Sequence, residues 1–199
     1  MFLKANNQSL EKTDFISFDE IDKEVYLNGY FFHDEKLYDN KNIQSFFKKN
    51  PTNQILESLN GFFNIIIICK KTNEINIIND RVGALGLYYK ISEKEIQISD
   101  SIRELISSDT AIDEESIIEM LRFRFTSGKY TLYKNIFKLT PAAKIKIKFN
   151  PSLQFDYSRY WDYSFKSKNR NLDEAEKDGF NILQSIIKKN EKNLGEKQI

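Results

Sequence analysis

A single cysteine, Cys69, and a single histidine, His33, leave this 199-residue chain without the means for an internal disulfide or a Cys/His zinc site. No apolar run approaches the ~18 residues a membrane helix needs. The longest, Phe62 to Cys69, is interrupted by Asn64. The opening residues, Met1-Phe2-Leu3-Lys4-Ala5-Asn6-Asn7, lack the apolar centre of a signal peptide, so a cytoplasmic location is expected. An excess of either charge is also missing. The 30 Lys and Arg against 29 Asp and Glu give a net charge of +1, so no overall field draws the chain to nucleic acid or to an anionic membrane. Neither a Walker A sequence nor a dinucleotide fingerprint is present, so nothing here cradles a nucleotide. Only 7 Gly and 3 Pro punctuate the chain, and no repeat or low-complexity block precedes residue 165.

What is present is an ordinary globular composition, 40% hydrophobic and 30% charged, enough for one domain or one domain and a piece of another. Strands are expected over Glu24 to Phe32, interrupted by Asn28-Gly29, and over Phe62 to Cys69, whose continuous apolar run marks a central strand covered on both faces. Glu74 to Asn79 makes a hairpin with the latter, and Leu87 to Ile91 with Glu95 to Ile98 makes another. Ala143 to Phe149 alternates isoleucine with lysine, so one face meets water. Three helices are predicted: a short one capped by Ser99, one capped by Asp113 carrying Ile117, Ile118, Leu121 and Phe125, and one from Leu172 to about Asn190 capped by Asn171. The apolar face of the third needs a partner. Phe165 to Arg170 reads as a linker, which places a domain boundary near residue 166. Antiparallel hairpins followed by helices give an α+β layered domain.

Singly, the chemical residues are bland. His33 ends a strand, Cys69 reads as a small buried hydrophobe, Trp161 closes a core, and the lysines from Lys188 on are a solvated helix end. The order of short motifs says more: Val25-Tyr26-Leu27-Asn28-Gly29-Tyr30, Leu59-Asn60-Gly61-Phe62-Phe63, Asn79-Asp80-Arg81-Val82-Gly83 leading to Leu87-Tyr88-Tyr89, Ser99-Asp100, Thr131-Leu132-Tyr133-Lys134-Asn135-Ile136, Leu139-Thr140-Pro141-Ala142 and Tyr160-Trp161. Over residues 25 to 161 this series resembles the amino-terminal glutaminase domain of asparagine synthetase and its relatives, a class II glutamine amidotransferase. The resemblance implies an N-terminal-nucleophile hydrolase fold, a four-layer αββα sandwich of two antiparallel sheets. It also implies a division into a glutaminase-like domain, 1–165, and the linker and first helix of an ATP-dependent synthetase domain, 166–199. The synthetase domain of the same polypeptide is the implied partner, ATP and Mg are expected there, and no cofactor or metal is expected in this chain. A homodimer stays open.

The chain departs from the family where chemistry sits. The family nucleophile is a cysteine directly after the initiator Met, freed so that its α-amino group acts as base; here that residue is Phe2. Asn28 and Gly29 match the pair that forms the oxyanion hole, so they are expected as vestigial substrate-binding positions. The next family residue, Glu, is Tyr30, and the closing Asn is His33. The carboxylate that holds the substrate ammonium has no counterpart in Asn50-Pro51-Thr52-Asn53-Gln54. Asp80, Arg81 and Gly83 are expected to be structural, with Arg81 donating to strand-end carbonyls or a carboxylate and fixing the turn into Gly83. The expectation is a catalytically inert glutaminase-like domain that scaffolds an amide-forming ligase. A glutaminase with another nucleophile and a standalone interaction module are the alternatives. Some of the 16 Phe and 10 Tyr are candidates for an interdomain face.

Overall fold

The computed structural model describes residues 1–6, 8–18, 23–49, 57–149, 152–165 and 171–194. Strands β1 (Phe2–Asn6), β2 (Leu10–Lys12), β8 (Tyr88–Ile91), β9 (Glu95–Ser99) and β10 (Ile136–Lys138) form a five-stranded sheet in the order β10-β8-β9-β1-β2. A seven-stranded sheet runs β12-β11-β7-β6-β4-β3, with β5 also paired to β4. Its members are β3 (Ile16–Phe18), β4 (Lys23–His33), β5 (Lys36–Tyr38), β6 (Asn60–Cys69), β7 (Glu74–Asn79), β11 (Ala143–Phe149) and β12 (Leu153–Arg159). Every pairing in both sheets is antiparallel. The fold is α+β, as the sequence implies.

The two sheets stack. Leu3, Ala5, Ile96 and Ile98 of the smaller sheet share one core with Tyr26, Ile66, Ile68, Ile75, Ile77, Ile145 and Ile147 of the larger. A second core lies on the other face of the larger sheet, where Ile43, Phe46 and Phe47 of helix α1 (Ile43–Lys49) pack on Val25, Leu27, Phe31, Ile65 and Ile67. The isoleucine run is thereby explained: alternate members of Ile65 to Ile68 serve opposite cores, so β6 has no solvent face to supply with polar residues. On β11 the alternation splits as expected, with Ile145, Ile147 and Phe149 buried. Lys146 and Lys148 meet Glu74 at 3.3 and 2.7 Å. Burial alone would raise the Glu74 pKa, but those two lysines hold it below its ordinary value.

Helix positions depart from the sequence reading in two places. Ser99 stays in β9 as the partner of Phe2, and its hydroxyl accepts the Ser101 N–H at 3.0 Å. The chain then makes a single 3-10 turn, Ile102–Leu105, which Ser101 precedes without a side-chain cap. Helix α2 (Glu114–Phe123) does start after Asp113, but that carboxylate takes the Ser116 hydroxyl at 3.2 Å rather than a helix N–H. Arg124 then turns left-handed at φ 65°, which puts Phe125 outside the helix. Helix α3 (Leu172–Leu194) is capped as expected, the Glu174 N–H donating to Asn171 Oδ1 at 2.8 Å. Large apolar side chains of both helices stay exposed, Leu121 by 78% and Leu183 by 60%. Among the described residues no helix is long and apolar enough to cross a membrane. Residues 166–170 of the linker expected over Phe165 to Arg170, and the Asn50 to Gln54 segment, lie outside the described residues.

Candidate functional site

The chain's first residue is tied down. β1 lies between β9 and β2, and its start brings the Met1 ammonium to the Asp100 carboxylate at 3.1 and 3.2 Å. The Tyr26 hydroxyl donates to the same carboxylate at 2.9 Å, and Asp14 lies 3.6 Å from the ammonium. Burial lowers the amine's pKa, but the Asp100 hydrogen bond and charge, with Glu104 and Asp14, outweigh it and raise the value above the ordinary 8.0. The amine is thus held as an ammonium, the form that cannot accept a proton. Tyr26 is pushed well up by burial and by Asp100, so its hydroxyl keeps its proton.

Asn28 lies two residues beyond Tyr26 on β4 and so on the same face, about 7 Å further along. The structure therefore brings the start of the chain toward the expected oxyanion-hole strand. Gly29 has φ 91°, and a Cβ there would collide with Phe62 O and sit 2.7 Å from Leu85 Cδ1. Across the ladder, Gly61 is squeezed in the same way against Tyr30 O and Phe31 Cα. Asn64, the cross-strand partner of Asn28, is fully buried and donates to Leu85 O and Gly86 O, each at 3.3 Å.

Asp80 organises the turn after β7. Its carboxylate accepts the N–H groups of Val82 at 2.9 Å, Ala84 at 3.1 Å and Phe63 at 3.3 Å, while its carbonyl accepts those of Gly83 and Ala142. Gly83, at φ 63°, packs its backbone against Pro141, where a Cβ would come within 3.2 Å. Arg81 does not make the bonds expected of it: among the described residues its guanidinium has no hydrogen-bond or ion-pair partner and lies over the Trp161 ring, 5.6 Å from the centroid. Asp80 cannot attract it away because that carboxylate is consumed by backbone N–H groups. Trp161 is consequently half-buried on Arg81 and Tyr163 rather than closing a core.

Asn79 carries a role the sequence reading missed. It donates to Thr140 O at 2.9 Å and accepts the Ala143 N–H at 2.7 Å, and its carbonyl takes the Tyr160 hydroxyl at 2.7 Å. Burial, aided by Asp80 and Glu57 and opposed by Arg81, pushes the Tyr160 phenol up to about 12. His33 ends β4, 3.3 Å from Asp34 and edge-on to Phe46. Cys69 ends β6 half-buried, and burial pushes its thiol up. Asn64, opposite Asn28, is five residues back along that strand, about 17 Å away. Among the described residues no cluster of three His, Cys, Asp or Glu could hold a metal.

Residues 18–161 match the profile of the glutamine amidotransferase domain. The chain belongs to the glutamine amidotransferase domain family. No curated protein matches the chain in sequence. Among solved structures, the glutamine phosphoribosylpyrophosphate amidotransferase of B. subtilis, complexed with ADP and GMP, aligns at 11% identity and a TM-score of 0.41. The alignment covers 84% of this chain and 32% of that one, so the chain spans about a third of that protein. In this glutamine amidotransferase domain the Met1 ammonium and the Tyr26 hydroxyl meet at the Asp100 carboxylate, with Tyr26 two residues before Asn28 on β4. Around the chain start lie Asp100, Asp14, Tyr26, Thr13 and Ser99, and β1 itself, Phe2–Asn6, carries no thiol or hydroxyl.

Proposed function

We propose that this glutamine amidotransferase domain does not hydrolyse glutamine and serves as a scaffold within an asparagine-synthetase-type, ATP-dependent, amide-forming ligase. The observation that carries the reading is at the chain start: Phe2 offers no nucleophilic atom, and the preceding α-amine is held as an ammonium by Asp100. Hydrolysis through an N-terminal nucleophile needs a thiol or hydroxyl and an unprotonated amine beside it. Cys69, the one sulfhydryl, is remote from Asn28 and inert through burial.

The asparagine-synthetase-type parent rests on the ordered motif series from Val25 to Trp161. In this reading 1–165 is the amidotransferase-like unit and 166–199 leads into a synthetase domain, which would hold ATP and Mg in the cytoplasm. The exposed apolar faces of α2 and α3 support a docking role, since large apolar side chains such as Leu121 and Leu183 gain by being covered.

The test is direct. The purified chain incubated with glutamine is expected to release no ammonia above a heat-killed control, and a glutamine-mimicking electrophile is expected to leave its amino end unlabelled. Enzymatic ammonia release, or an adduct near Phe2, overturns the reading. A Ser-Gly-Gly-x-Asp-Ser segment encoded beyond residue 199 is the expected mark of the ligase half.

A further inference from the structure

A cleft of about 390 Å³ opens beside the turn after β7, on the face of the larger sheet beyond the reach of the smaller one. Its walls are Tyr30, Phe32 and Phe62 from β4 and β6, Val82 from the turn and Ile186 from α3, with Arg81 among them. The aromatic wall is ordered, Tyr30 standing edge-on to both Phe32 and Phe62 at 5.9 and 6.0 Å. Phe62 is 47% exposed and Val82 50%, so apolar surface lies open at the cleft. The volume is toward the lower end of the ~300–1,000 Å³ usual for small-molecule sites, which are apolar with a few convergent polar groups.

Arg81 supplies the polar group. Its Nε is buried without a hydrogen-bond partner, and among the described residues no carboxylate neutralises the guanidinium. The nearest acid in sequence, Asp80, spends both oxygens on the N–H groups of Phe63, Val82 and Ala84. A guanidinium with unfilled donors at the edge of an aromatic cleft is matched by a planar carboxylate. We propose that this cleft binds a small carboxylic acid with a flat or branched apolar body, its carboxylate on Arg81 and its body against Tyr30 and Phe62.

The same geometry selects against two other classes. A zwitterionic amino acid needs an acceptor for its ammonium, and the one carboxylate among the described lining residues, Asp80, has both oxygens taken by backbone N–H groups. A phosphate would place about two charges against a single guanidinium. The site is separate from the Met1 and Asp100 pair and does not depend on whether glutamine is hydrolysed.

Trp161 gives the readout. It is the single tryptophan of the chain and its ring lies on Arg81, so a carboxylate docking on the guanidinium perturbs its emission. The purified full chain is titrated with 3-phenylpropanoate to about 10 mM, with 3-phenylpropanamide, phenylalanine and inorganic phosphate as parallel arms. A saturable change with 3-phenylpropanoate is expected, at least tenfold weaker with each of the other three. Arg81→Met is expected to lose that change at least tenfold while Arg81→Lys recovers part of it, each checked for an unchanged melting profile. The proposal is overturned by the absence of a saturable change, by an amide that binds as well as the acid, or by a folded Arg81→Met chain that binds undiminished. Should Arg81→Met fail to fold, the acid-to-amide ratio of the unaltered chain decides alone.

Discussion

The Met1 ammonium sits 3.1 Å from an oxygen of Asp100, joining the first residue of the chain to one 99 positions away. The carboxylate also takes the Tyr26 hydroxyl, so the pair clips the smaller sheet to the larger at this corner. Because the folded amine has a raised pKa, its contribution is complete below the unfolded value of 8.0 and is lost as pH rises through the folded value. Thermal melts across this range are expected to show stability falling above pH 8.0 in the unaltered chain and a flatter profile in Asp100→Asn. With solvent screening the loss at neutral pH is about 1 kcal/mol.

Gly29 and Gly128 both have positive φ, 91° and 56°, but only the first is hemmed in. Gly29→Ala puts a methyl against Phe62 O and is expected to cost roughly 3 kcal/mol or more, or to prevent folding. Gly128→Ala meets nothing within 4 Å and is expected to cost about 1–2 kcal/mol from backbone strain alone. Urea denaturation of the pair separates collision from strain.

Asp80→Ala strips acceptors from the N–H groups of Phe63, Val82 and Ala84, of which the first lies in a buried strand. The expected loss is about 2–4 kcal/mol. Hydrogen exchange should show the amides of Val82 and Ala84 losing protection before those of β7. Unchanged exchange at both would remove Asp80 from its place as organiser of the turn.

Phe2→Cys restores a thiol at the family position once the initiator Met is removed. No glutaminase activity is expected to return, because the residue that follows Gly29 is the phenol of Tyr30 and no carboxylate of the Asn50 to Gln54 segment can receive the substrate ammonium. Ammonia release by this variant would mean that the chain start is the one missing part.

Leu121 is 78% exposed on α2 and touches no core, so Leu121→Lys is expected to change stability by less than about 0.5 kcal/mol. Binding of a hydrophobic dye and self-association should both fall. A large loss of stability instead would show that the helix face is already covered.

The elements legible in the sequence are those in which burial dictates composition. The isoleucines of β6 serve two cores, and the lysines of β11 mark one wet face, so their patterns name their positions. β12 carries the same signal too faintly to be assigned, Leu153, Phe155 and Tyr157 alternating with polar residues but only partly buried. Helix α1 escapes because it has only seven residues and is fixed by Phe46 and Phe47 entering a core built by distant strands. The site divides in the same way. The motif series marks Gly29 and Gly83, whose positive φ is local, but the close approach of Phe62 O to the first and of Pro141 to the second comes from distant strands and loops. The stacking of Arg81 on Trp161 joins residues 80 positions apart, and the use of Asp80 by three N–H groups depends on β6 lying alongside. Neither is encoded in any local spacing.

The register of β1 bears on the order in which the molecule can assemble. Phe2 pairs with Ser99 and Ala5 with Ile96, so β1 cannot take its place in the smaller sheet until β9 has been synthesised. Until then Leu3 and Ala5 lack their final neighbours, and closure depends on contacts of long sequence separation. This sheet therefore cannot close until β9 has been made, and a chain halted before β9 would carry β1 as an orphaned strand available for mispairing.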